Sequence, residues 1–248
     1  MLVDYASSDS DKEEIYVPKL PTIFQPKSPN DNPSEHQGRV RSQPFREGVY
    51  YTHVHLSIPL DYKFKKLLEE IYNDFKGKYN NIHPLFNPDE DIDDDDEYFY
   101  ISLSRPLGLR NFQIKPFNKA IESITNNHKA ITVSFSDIDV LFNDNKTRAF
   151  IVLPIVAGYQ DLNKLLRDID NGPVRENKQE PYYDPAVLHT SIAWMLTTEE
   201  GFSEDDLRET TRAFTEKYTR KLRLLGAFES TKVNVKVSKQ VYTHALSN

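Results

Sequence analysis

Val187-Leu188-His189-Thr190-Ser191-Ile192-Ala193-Trp194 is the stretch on which the reading of this chain turns. Its apolar and β-branched content makes it a buried strand, and side chains on a strand alternate faces. His189 and Ser191 therefore share one surface, while Leu188, Thr190 and Ile192 share the other. A titratable imidazole stands beside a hydroxyl donor. A lone His-x-Ser on the polar face of an antiparallel sheet is an ordinary feature and carries no function. A second such pair would make it half of a site.

Two stretches could supply that partner. His55-Leu56-Ser57 ends the strand Val49 to Ile58, VYYTHVHLSI. Tyr98 to Arg105, YFYISLSR, has the apolar frame of the His189 stretch with Tyr100 where the histidine would stand. Tyr100 and Ser102 share a face by the same period of two. Geometry alone does not choose between them.

The rest of the chain sets the context. Its 248 residues, 38% hydrophobic and 12% aromatic, are enough for a sizeable core. With no cysteine, disulfides, thiolate catalysis and Cys-based metal sites are excluded. No apolar run approaches the ~18 residues of a membrane span, and the acidic start MLVDYASSDSDKEE is unlike a signal or transit peptide, so a soluble protein is expected. The net charge of −7 is unevenly distributed. Residues 1–35 hold seven acids against three lysines, and Asp89 to Glu97, DEDIDDDDE, holds eight acids and no base. The remaining chain is about +5, which suits an anionic ligand such as RNA.

Punctuation and periodicity give the organisation. Residues 1–38 are Ser/Asp-rich and then Pro-rich, and read as a disordered tail; the acidic segment near 87–97 reads as a disordered loop. Residues 39–248 are expected to form one domain beginning near Gly38. A helix is predicted over Tyr62 to Phe75, where Phe64, Leu67, Leu68, Ile71, Tyr72 and Phe75 recur at helical spacing. Further helices are predicted around Phe117–Asn126, Gln160–Ile169 and Glu204–Lys221. Strands are predicted at Phe99–Ser104, Ala130–Phe135, Val140–Phe142, Arg148–Val156 and Lys232–Val237. Adjacent strands without regular βαβα alternation point to an α+β fold with a largely antiparallel sheet in two lobes.

At this point the sequence resembles the U6 snRNA phosphodiesterases of the two-histidine phosphoesterase superfamily. The landmarks, in order, are Gly38-Arg39-Val40-Arg41 leading to Thr52-His53-Val54; ISLSRPLGLRNFQIKPF at 101–117; Asn145-Lys146-Thr147-Arg148-Ala149-Phe150; Tyr182-Tyr183-Asp184-Pro185; and His189 to Trp194. The resemblance runs from about Gly38 to the end of the chain. It implies a bilobal, pseudo-symmetric α+β fold in which each lobe brings a His-x-Ser/Thr motif to a central groove. It also selects the register. The family's first motif precedes a segment like Leu107-Gly108-Leu109-Arg110, so Tyr100-Ile101-Ser102 is the motif position, and His55 is expected at the surface or groove edge. One of the two defining histidines is thus a tyrosine.

The chemistry explains the motif. RNA carries its own nucleophile, the 2′-hydroxyl, so cleavage needs one group to remove that proton and another to protonate the departing 5′-oxygen. Histidine, with an ordinary pKa of about 6.5, suits both tasks. By resemblance and this logic, His189 is expected to act as general base, Tyr100 as the opposing donor, and Ser102 and Ser191 as phosphate clamps. A phenol with an ordinary pKa of about 10 donates but scarcely serves as a base, so reduced activity is expected. Tyr182 matches a family tyrosine that stacks on a base, with Asp184 and Pro185 in the same nucleotide-binding loop and a one-residue insertion within 186–188; Trp194 is expected in the core. The resemblance further implies a metal- and cofactor-independent 3′-to-5′ exoribonuclease acting on the oligouridine end of U6 snRNA and leaving a 2′,3′-cyclic or 3′-phosphate. It implies a monomer with no membrane partner, in the nucleus with room for an organellar pool. The alternative is an RNA-binding pseudoenzyme of the same fold, impaired at Tyr100.

Overall fold

Strand β1, Val49–Ser57, shows how the sequence builds the site. Thr52, Val54 and Leu56 point into the core at 1%, 0% and 0% exposure, leaving His53 and His55 on the opposite face. The strand pairs antiparallel with β3, Tyr100–Ser102, and with β4, Leu107–Arg110, along one edge. The other edge pairs with β10, Lys232–Val237, which pairs in turn with β11, Gln240–Ala245. These make a five-stranded sheet.

A second, six-stranded sheet runs in the order β2 (His83–Pro84), β8 (His189–Leu196), β7 (Arg148–Ala157), β5 (Ile131–Phe135), β9 (Ala227–Ser230), with β6 (Asp139–Phe142) also on β7. All pairings between these named strands are antiparallel. The two sheets and four helices are those of a computed structural model that describes residues 46–86 and 99–247. The tail at 1–38, the start near Gly38, Gly38-Arg39-Val40-Arg41 and the acidic run at 87–97 lie outside the described residues. Gly48–Asn248 form a compact unit.

Each helix starts and stops for local reasons. Helix α1, Tyr62–Lys78, is capped by Asp61, whose carboxylate accepts from the Phe64 N–H at 2.8 Å. Its apolar stripe of Phe64, Leu67, Leu68, Ile71, Tyr72 and Phe75 is buried as its spacing predicts. Helix α4, Glu204–Leu225, carries Glu204, Asp205 and Asp206 in its first turn, where the helix dipole favours anions. Lys217 and Tyr218 of α4 both reach Asp74 of α1, at 2.5 and 2.7 Å. Both helices pack on the second sheet. Helix α3, Tyr159–Ile169, buries Leu162, Leu165, Leu166 and Ile169 completely. It runs on through a kinked turn at 170–174.

Helix α2, Asn111–Thr125, departs from the sequence reading by starting six residues before Phe117. Pro116, of a residue type favoured in a helix's first turn, lies within the helix. A proline there removes one backbone hydrogen bond to Phe112. Phe112 is itself 78% exposed, so the freed carbonyl can turn to water. The Arg110 N–H is taken by the Gln113 side chain at 2.7 Å, which secures the true start. The sequence reading also lacks β2, β4, β9 and β11. Strand β11 has an exposed–intermediate alternation and lies at a sheet edge, so it shows no apolar stripe. Its hairpin turns through Ser238 at φ 54 without the Asn-Gly or Asp-Gly signal of such turns. The helices and two antiparallel sheets are the expected α+β architecture. Among the described residues no helix is long and apolar enough to cross a membrane.

Candidate active site

Strand β8 presents its motif as the period of two requires. Leu188, Thr190 and Ile192 are buried at 2%, 1% and 0% exposure, while His189 and Ser191 are half-buried on the other face. A register shift opposite Ile151 and Val152 leaves Ile192 unpaired on β8. This bulge carries Ala193, Trp194 and Met195 into the interior just beyond the motif. The Ile192 carbonyl accepts from Leu85 N at 2.9 Å, and β2 covers β8 only at Ala193 and Trp194. The edge of β8 at His189 and Ser191 is therefore not taken by β2. Strand β3 comes within 8 Å of β8, Cα to Cα. Strands β3 and β8, from different sheets, thus come close although Ser102 and His189 stand 87 positions apart in the sequence.

The His189 imidazole has a defined orientation. Its Nδ1 lies 2.7 Å from the Val187 carbonyl. A carbonyl can only accept, so Nδ1 carries the hydrogen and Nε2 keeps a lone pair. Burial lowers the pKa, with the Val187 hydrogen bond opposing it. The neutral ring with a free Nε2 is the form a general base needs.

The β3 half is built around two histidines rather than one. Ser102 stands opposite His55 in the β1–β3 register, with His53 its diagonal neighbour on the same face. The His53 Nε2 lies 3.1 Å from Ser102 Oγ. Tyr100, 37% exposed, has its ring centre 5.1 Å from that of His53 and 4.9 Å from that of His55. The two imidazoles stack at 5.2 Å. Burial, then the nearby His55 and Lys236, pull the His53 pKa down to about 3, so this ring is neutral. His55 is only 1% exposed. That corrects the expectation of a surface or groove-edge residue: β3 and β10 flank it on both edges and the aromatic ring of Tyr100 covers it. In the sequence His53 stands only within the landmark Thr52-His53-Val54, with no role in the site. Its two-residue spacing from His55 was the available signal, since it puts both rings on one strand face.

The loop leading to β8 is pinned from several sides. Asp170, 2% exposed, accepts the Tyr182 N–H on both carboxylate oxygens, at 3.1 and 3.0 Å. Burial raises its pKa against that backbone hydrogen bond. Gln179 accepts from Gly108 N at 2.9 Å, tying the loop to β4. Tyr182 is itself buried at 7% exposure, and burial raises its phenol to about 12. Its neighbour Tyr183 is the open ring, 46% exposed. The Arg105 guanidinium lies 4.0 Å from the Tyr183 ring centre, and the Tyr183 hydroxyl donates to Asp144 at 3.0 Å. Arg105 also pairs with Glu180 at 2.5 Å. The segment just after Ser102 is in this way fastened to the loop just before His189. Asp184 accepts from Arg167 at 2.7 Å, and the Asp184–Pro185 bond is cis. Trp194 is in the core at 2% exposure, as expected, stacked on His83.

Several known proteins are similar to this chain in sequence or in fold. The U6 snRNA phosphodiesterase 1 of Drosophila melanogaster is 27% identical over 203 residues, covering 78% of this chain and 74% of the fly protein. The protein of the same name from Schizosaccharomyces pombe is 28% identical over 224 residues, covering 81% of this chain and 79% of the yeast one. The human one is 26% identical over 168 residues, covering 68% of this chain and 59% of the human protein. The structure of Kluyveromyces marxianus Usb1 superposes with a TM-score of 0.58 at 16% identity, over 82% of this chain and all of that one. The fold is therefore that of Usb1, and the resemblance read from the five landmarks is the one these comparisons find. The profile of the family described as "HVSL: Uncharacterised conserved protein" matches residues 17–245, nearly the whole chain, so this chain belongs to the HVSL family.

Proposed function

We propose that this chain is an RNA phosphodiesterase that shortens the 3′ oligouridine end of U6 snRNA one nucleotide at a time. The observation that supports the reading is the approach of β3, which carries Tyr100 and Ser102, to β8, which carries His189 and Ser191. The names borne by its relatives in fly, human and fission yeast supply the substrate class.

The residues divide the work as follows. His189 Nε2 takes the proton of the 2′-hydroxyl on the penultimate nucleotide. The freed oxygen attacks the adjacent phosphorus, an O2′–P bond forms and the P–O5′ bond breaks. The Tyr100 phenol gives its proton to the departing 5′-oxygen, releasing the terminal nucleoside and leaving a 2′,3′-cyclic phosphate. Ser102 and Ser191 donate to the non-bridging oxygens as charge builds on them. The loop containing Tyr182, Asp184 and Pro185 receives a base, with the open ring of Tyr183 as its stacking surface and Tyr182 as the buried support behind it. No metal or cofactor enters this scheme. Residues 39–248 make the catalytic domain, the protein acts as a monomer, and its working pool is nuclear.

The test uses the full chain with 5′-labelled oligouridine in the presence of a chelator. A ladder shortening in single-nucleotide steps is expected, and a 2′-deoxy substitution at the penultimate position should stop it because the nucleophile is gone. Binding without shortening would instead identify an RNA-binding protein that has lost turnover at Tyr100.

A further inference from the structure

We infer that His53 is a positioning residue for the β3 half of the site: its Nε2–H donates to Ser102 Oγ and so directs the Ser102 hydroxyl proton toward the substrate phosphate. The inference deepens the function proposed above and rests on the reading of Ser102 as a phosphate clamp.

A serine hydroxyl has a single hydrogen, so its neighbour decides where that hydrogen points. If the neighbour accepts, the hydroxyl turns inward and presents lone pairs to the groove, which repel an anion. If the neighbour donates, the hydroxyl proton is free to reach outward. The neighbour here is His53 Nε2, at 3.1 Å. Its ring has little freedom to turn away. His55 stacks on one side at an interplanar angle of 19°, and Tyr100 meets it edge-on at 67°. The ring is held neutral by burial and by His55 and Lys236, so it offers one N–H and one lone pair, and only the Nε2–H form serves a clamp. The β8 half follows the same rule in mirror fashion, with a carbonyl choosing the tautomer of His189. On β3 a histidine chooses the direction of a serine.

The experiment compares His53→Leu, His53→Gln, Ser102→Ala and the His53→Leu/Ser102→Ala double variant of the full chain on oligouridine, with thermal unfolding of each. Removing an oriented donor in such a site costs about 10²–10³ in rate, and misdirecting one should cost less, so His53→Leu is expected to lower kcat about 10- to 100-fold with KM little changed. His53→Gln, whose amide N–H reaches about where the Nε2–H lies, should recover to within about fivefold of the parent, since it restores the donor. The double variant should be no slower than Ser102→Ala alone, because both changes remove one interaction. The acid limb of the pH–rate profile, set by His189, should not move. Nitrogen NMR of the isotope-labelled parent chain needs no variant and should show His53 Nε2 as a protonated nitrogen. An unprotonated Nε2, a His53→Leu variant as fast as the parent, glutamine no better than leucine, additive losses in the double variant, or a shifted acid limb would each overturn the inference. The two readings fail separately. Full activity in Ser102→Ala removes the clamp and the inference with it, whereas an impaired Ser102→Ala beside an unimpaired His53→Leu removes the inference alone.

Discussion

At position 100 a phenol stands where the resemblance calls for an imidazole, and the consequences are asymmetric. Transesterification asks only for a donor on that side, which a neutral phenol supplies. Opening the cyclic phosphate with water reverses the proton traffic and asks the same group for a base. A phenol of ordinary pKa about 10 is about a thousandth ionised at neutral pH, so the second step is the weaker. Digested oligouridine should therefore end mainly in 2′,3′-cyclic phosphate by mass spectrometry, and Tyr100→His should raise the rate and speed ring opening. Mainly linear 3′-phosphate, or a Tyr100→His chain no faster than the parent, would contradict this. In the proposed scheme His189 sets the pH dependence. A base works in its neutral form, and burial lowers its pKa, so activity should hold as pH falls to about 6.5 and decline only below that ordinary value. Replacing His189 with Ala should cost about 10²–10⁴ in rate at neutral pH. The adjacent tyrosines separate binding from stability. Tyr183→Ala, at the open ring, should weaken oligouridine binding by about 1–3 kcal/mol with little change in melting. Tyr182→Ala, at the buried ring, should destabilise the fold by about 3–5 kcal/mol, as for other large buried aromatics.

Among the elements, the junction of β7 and α3 is the one most tightly defined by a single residue. Gly158 caps α3 at φ 81, and a Cβ there would lie 2.3 Å from the Thr132 carbonyl oxygen of β5. Alanine would meet both the left-handed penalty of about 1–2 kcal/mol and a clash with backbone that cannot move aside. Gly158→Ala should therefore destabilise by more than about 2 kcal/mol in urea unfolding, whereas Gly201→Ala, also at positive φ (86) but with open space around it, should show the left-handed penalty alone. Periodicity made α1 and α3 legible, since each carries a continuous apolar stripe. The start of α2 was not, because Pro116 resembles a first-turn proline and its tolerance depends on a solvent-facing carbonyl. Strand β11 was hidden for a different reason: an edge strand half in water has no apolar alternation to read.

For the whole molecule, charge is the property that sequence distributes and structure must accommodate. The run at 89–97 carries −8, while the chain outside it and the first 35 residues is about +5. Replacing those acids with Asn and Gln should tighten oligouridine binding at low salt, and the gain should shrink as salt rises, because screening removes repulsion from both phosphate and protein. Affinity that is unchanged at every salt concentration would show that the run does not face the RNA.

By itself the sequence determined the two faces of β8, and with them the pairing of His189 with Ser191, because alternation along a strand is a local property. It also determined the α+β class and the apolar stripes that bury α1 and α3. The choice between Tyr100-Ile101-Ser102 and His55-Leu56-Ser57 was different in kind. Both have the same local pattern, and only the resemblance selected one. In three dimensions the two segments also differ: β3 lies toward β8, while β1 is enclosed between β3 and β10, which buries His55 and sets His53 against Ser102. Tertiary structure likewise decided which of two adjacent tyrosines is open, because Asp170 holds the backbone of Tyr182 so that its ring is buried, while Tyr183 stays 46% exposed. Burial of a side chain depends on what other elements lay over it, and no local period carries that information.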